Sequence, residues 1–185
     1  MDYKKLDMEE LLRLSIDAIA GNRQADALVL LKTALEREPE HVHATYLLAA
    51  QHAQLGLVDR AEAGFRKVVA AAPDLAIARF QYAQLLMGQG RAEEARQMLA
   101  PVRAQVDALG AYARALDAAA DQRMDDALRE LDEGLAQPQA LPALAIDMRR
   151  LRDQLAGSAP ASLTEVAARI DTPAPIFLTG YGRTN

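Results

Sequence analysis

The sequence contains no cysteine and no tryptophan, and its only aromatic residues are five Tyr and three Phe among 185 positions. Without cysteine, disulfides, thiolate nucleophiles and cysteine metal sites are excluded. Scarce aromatics also tell against sheets, whose strands favour aromatic and β-branched residues. No stretch approaches the ~20 consecutive apolar residues of a membrane-spanning helix. The opening Met1-Asp2-Tyr3-Lys4-Lys5-Leu6-Asp7 carries acids and develops no apolar core segment, so it does not read as a secretory signal. The net charge of −5 is spread along the chain without a basic stripe, so a nucleic-acid backbone would lack its usual electrostatic attraction. These absences predict a cytoplasmic protein that binds neither nucleic acid nor membrane.

Ala, Leu, Arg, Glu, Gln and Asp are what the chain has in quantity. Ala and Leu are strong helix formers, and small Ala side chains let helices approach closely. The length suffices for one domain with a sizeable core, or for a small domain plus a tail.

Internal repetition organises the pattern. Ala27, Ala61, Ala95 and Ala127 anchor four similar segments, spaced by 34, 34 and 32 residues. A bulky apolar residue follows each anchor at the same offset: Leu31, Phe65, Leu99 and Leu131. Turns precede the anchors at Gly21-Asn22, Leu55-Gly56, Gln89-Gly90 and Asp121-Gln122. Prolines close three of the segments at Pro39, Pro73 and, one residue early, Pro138. Glycine or Asn in the turn tolerates a left-handed backbone, and proline cannot continue a helix. The small anchor lies where paired helices cross, and the bulky residue shares its face. A single such hairpin cannot bury its apolar side alone, and stacking supplies the partner.

On these marks, and on the small residues Ser15, Ala49, Ala83 and Ala115, the chain resembles the tetratricopeptide repeat (TPR) family over about residues 8–139. The fold expected is all-α: a right-handed superhelical solenoid of four TPR-like hairpins (8–41, 42–75, 76–107, 108–139). A capping helix over 140–156 and a tail over 157–185 complete it. The capping helix rests on apolar residues at Leu144, Met148, Leu151 and Leu155. Two departures stand out. The fourth repeat is short and has no turn glycine, and the third has Asp107 where a proline is expected. Pro101, inside the third repeat's second helix, predicts a kink or an early stop.

The resemblance implies a function in binding a protein or peptide partner along a groove lined by the first helices, with self-association possible and no cofactor. The fifth slot of each repeat points into that groove in the family and here holds Leu12, Tyr46, Phe80 and Tyr112. Ile16, His43 and Gln84 occupy neighbouring groove slots. Some family members clamp a C-terminal carboxylate with Lys and Asn; Leu12 and Ile16 stand there instead, so apolar contact would carry binding. The three histidines, His41, His43 and His52, do not fall at metal-ligand spacing with a carboxylate, and no metal site is expected.

Composition changes after Leu155. A Ser162-x-x-Glu165 capping pattern predicts a short helix to about Ile170, and Ile176-Phe177-Leu178-Thr179 reads as a strand entering Gly180-Tyr181-Gly182-Arg183. A strand running into a glycine turn with a basic residue is how phosphate-binding loops begin. This stretch resembles the opening of the sulfotransferase family, whose loop cradles the 5'-phosphosulfate of 3'-phosphoadenosine 5'-phosphosulfate. Gly180, Gly182, Arg183 and Thr184 would take the loop positions, with Gly182 standing for proline, Thr184 for serine and Asn185 for glycine. The chain would then be the TPR arm of such a bacterial enzyme without its catalytic domain. The parallel sheet that transfer chemistry needs is not encoded here, so no catalysis is expected of this chain alone.

Overall fold

The structure is a computed structural model and describes residues 3–157. Among the described residues it contains nine α-helices and no strand, after a short 3-10 turn at Tyr3–Lys5. The helices are α1 (Met8–Ala20), α2 (Gln24–Arg37), α3 (Val42–Gln54), α4 (Val58–Ala71), α5 (Ala76–Gly88), α6 (Ala92–Arg103), α7 (Ala108–Ala120), α8 (Met124–Ala136) and α9 (Pro142–Gly157). The first eight pair as antiparallel hairpins. The predicted helix, strand and loop beyond Gly157 lie outside the described residues.

The helices begin and end for identifiable reasons. Asp7 opens α1 with a capping box: its carboxylate accepts from the Glu10 amide and its own amide donates to Glu10 Oε2, both at 2.8 Å. Each hairpin turn places one residue at positive φ in the same slot: Asn22 at 55°, Gly56 at 69°, Gly90 at 74° and Gln122 at 59°. The amide one residue later then bonds back to the carbonyl of Ala18, His52, Leu86 or Ala118 at 2.7–2.9 Å. These are Schellman closures, which satisfy carbonyls that a helix end would orphan. The fourth turn, which lacks glycine, closes in the same way on Gln122.

The described chain divides into two compact units at Asp74–Leu75. In the first, α1 packs on α2, α2 on α3 and α3 on α4. In the second, α5 packs on α6, α6 on α7, α7 on α8 and α8 on α9. All four anchors, Ala27, Ala61, Ala95 and Ala127, are completely buried, and so are Leu31, Phe65, Leu99 and Leu131 beside them. Burial of each large side chain contributes roughly 1.5–3 kcal/mol. On α9, Leu144, Met148, Leu151 and Leu155 are buried on one face and Arg149, Arg150 and Arg152 lie at the surface.

The irregular third repeat has a physical explanation. α6 passes through Pro101 and ends at Arg103, making it the shortest second helix, with 12 residues against 13 or 14. The proline ring withdraws one intrahelical donor near the end of the helix, where the loss is least disruptive. Asp107 then caps α7 by accepting from the Gly110 amide at 2.9 Å. Arg114 reaches back from α7 to the carbonyls of Arg103 (3.2 Å) and Gln105 (3.1 Å), so a side chain closes the corner that proline closes elsewhere.

Candidate functional site

The fifth slot of the first helices does not present its aromatics to solvent. Tyr46, Phe80 and Tyr112 are 2 %, 0 % and 1 % exposed. Tyr46 packs on Phe65 within its own hairpin, ring centroids 6.4 Å apart and tilted by 54°. Tyr112 donates its hydroxyl to Gln139 Oε1 at 2.8 Å, and Gln139 Nε2 donates in turn to the carbonyls of Gly134 (2.8 Å) and Gln137 (2.6 Å). Burial raises the Tyr112 phenol above its ordinary range. A ladder of aromatics open to a ligand, as the slot pattern suggested, is therefore corrected to core. The reason is reach: the Tyr46 ring meets Phe65 of α4 and the Tyr112 ring lies against Gly134 of α8.

What remains accessible on the first helices is smaller. In the first unit, Leu12 and Ile16 of α1 are half-buried one turn apart, and His43 and Ala50 of α3 are half-buried as well. In the second unit, Gln84 of α5 is half-buried. His41 accepts the Ala44 amide on Nδ1 at 3.2 Å and so caps α3, with its ring 6.0 Å from that of His43. Burial, and then the charge of His41, pull the His43 imidazole below its ordinary range. Among the described residues no cluster of His, Asp and Glu could hold a metal ion. Gly180, Gly182, Arg183 and Thr184 lie outside the described residues.

The second unit also carries an ion-pair network that the sequence did not disclose. Asp117 of α7 receives Arg96 Nε at 3.4 Å and pairs with Arg103, both from α6. Arg96 reaches on to Asp121 and, at 3.1 Å, to Glu93. Arg114 binds Glu130 of α8 at 2.7 Å. Around the α6–α7–α8 corner lies a cleft of about 280 Å³ lined by Arg103, Arg114, Asp117, Arg123, Arg129 and Glu130, among others. Asp126 accepts from Arg129 and Arg123, which hold its carboxyl below the usual range. The partners that matter are far apart in sequence, so no local spacing signals them.

Comparison with known proteins agrees with this geometry. A tetratricopeptide repeat family model matches residues 18–77. A solved structure described as the MamA RS-1 ArsTM double mutant superposes with a TM-score of 0.57 at 20 % identity, covering 91 % of this chain and 90 % of that one. A second, MamA 41-end from Desulfovibrio magneticus RS-1, superposes at 0.55 with 19 % identity and the same coverage. At such identity the likeness is one of fold. No curated protein matches the sequence.

Proposed function

We propose that this tetratricopeptide-type chain is a protein-interaction scaffold that takes a partner protein or peptide on the first-helix faces of its hairpins and performs no chemistry of its own. The observation that carries the reading is the half-buried apolar pair Leu12 and Ile16 on α1, accompanied in the same unit by His43 and Ala50 on α3. Such a surface offers apolar contact with a few polar groups for orientation, the usual make-up of a peptide-binding face. Within that unit the buried Tyr46 ring backs α3 as rigid packing. Gln84 offers an amide donor and acceptor on the second unit. An acidic balance of 26 carboxylates against 21 Lys and Arg favours a protein partner over a nucleic-acid backbone. The reading places the chain in the cytoplasm, without a cofactor, and allows self-association.

Site-specific photocrosslinking tests it. A photoreactive residue at Leu12 should yield a discrete protein adduct in the native cell, whereas the same residue at Lys67, exposed on α4, should not. Equal adducts from both positions, or none from Leu12, would remove the first-helix face as the binding site.

A further inference from the structure

The second repeat breaks a rule its three sisters keep. At the start of each second helix the sisters place an arginine that pairs with an acid three residues on: Arg23 with Asp26 at 3.6 Å, Arg91 with Glu94 at 2.6 Å and Arg123 with Asp126 at 2.9 Å. The second repeat has Leu57 and Arg60 in those slots, so the arginine is replaced by an apolar residue and the acid by a cation. A third slot differs as well. Where the sisters bury Ala18, Leu86 and Ala118, the second repeat puts His52, 9 % exposed.

Two of these changes lie on either side of one hairpin turn in the first unit, His52 in the last turn of α3 and Arg60 in the first turn of α4. The charges of Arg60 on α4 and Lys32 on α2 both reach the His52 ring on α3. Among the described residues neither Lys32 nor Arg60 has a carboxylate at ion-pair distance, and the His52 ring makes no hydrogen bond. Burial first, and then the two cations, lower the imidazole below its ordinary range. Beside this group the hairpin turn leaves Leu55, Leu57 and Val58 exposed by 39, 39 and 37 %, and Val29, three residues before Lys32 on the same face of α2, by 48 %.

We propose that the α3–α4 hairpin turn, with Lys32, His52 and Arg60 beside it, is a second docking surface for a carboxylate-rich protein segment carrying aliphatic side chains. Charge complementarity selects the occupant: two cations that have no ion-pair partner among the described residues suit carboxylates, and the exposed leucines and valines suit aliphatic groups. A large polyanion would meet too few cations here, with 26 acids in the chain as a whole. The surface lies at the turn and does not use Leu12 or Ile16, so it stands or falls apart from the first-helix reading.

The test uses the full chain and an array of short peptides that vary in acid content and aliphatic content. The wild type should retain peptides that combine Asp or Glu with Leu, Ile or Val. The double substitution Leu57→Arg with Arg60→Asp restores the pairing found in the sister repeats, so its fold and its Leu12 crosslinks should be unchanged. It should lower affinity for those peptides about tenfold or more, since charge-assisted contacts are lost and a repelling carboxylate is gained. Lys32→Glu should act in the same direction. Retention of neutral or basic peptides in place of acidic ones, equal binding by the double variant, or a preference for anionic lipid vesicles or single-stranded DNA over every acidic peptide would each overturn the proposal.

Discussion

The ring of Tyr112 stands where a side chain on Gly134 would begin: a Cβ built on Gly134 would lie 2.5 Å from Tyr112 Cε1. The contact lets α8 lie close on α7, and it sits beside the hydrogen bonds by which Gln139 joins the Tyr112 hydroxyl to the Gly134 carbonyl.

Gly134→Ala should therefore destabilise the second unit, although alanine is the better helix former. The steric cost of roughly 1–3 kcal/mol outweighs a propensity gain of about 1 kcal/mol or less. Tyr112→Phe, which removes only the hydroxyl, should cost about 1 kcal/mol. Urea unfolding followed by circular dichroism separates the two, and an alanine variant as stable as the wild type would show that α7 and α8 are not so closely packed.

Tyr46→Ala and Phe80→Ala should each lower stability by about 3–5 kcal/mol, the range for removing a buried aromatic. Calorimetry reads this directly. Loss of partner binding with an unchanged melting temperature would return these rings to the binding surface.

Gln122 holds a φ of 59° in a slot where two sister repeats use glycine. Gln122→Gly should stabilise the chain by about 0.5–1 kcal/mol, because the left-handed backbone strains a residue with a Cβ. Gly56→Ala should act in the opposite direction by about 1 kcal/mol. Chemical denaturation of both variants checks the pair of signs.

Asp147 of α9 has a side chain only 11 % exposed, and its Oδ1 accepts no hydrogen bond within the described residues. Burial pushes its carboxyl up to about 6, against the pull of Arg150 at 3.8 Å. A raised carboxyl pKa favours folding while the group is protonated. That contribution is complete below the unfolded value near pH 4 and is lost as pH rises through about 6. Asp147→Asn should thus match the wild type below about pH 4 and exceed it by about 1–2 kcal/mol at pH 7, after allowance for solvent screening. Parallel stability curves at both ends of that range would exclude this account of Asp147.

The helical hairpins were legible because their signals are local. Ala27, Ala61, Ala95 and Ala127 recur at a near-constant interval with a turn before and a bulky residue after, and all four are buried. The surface was less legible. Periodicity places Tyr46, Phe80 and Tyr112 at one register, yet it carries no information on how far each ring reaches into the neighbouring helix. Asp107 looked like a missing proline, and its capping of α7 becomes visible only with the Gly110 amide beside it.

By itself the sequence determined which segments coil into helices, where they reverse and which small residues lie between them, since caps, turns and periodicity act over a few residues. Tertiary structure alone decided that the aromatic slots are core, that Asp117 is shared by Arg96 and Arg103, and that the charges of Lys32 and Arg60 act on His52. Those relationships join side chains from different helices, and only packing brings them within range.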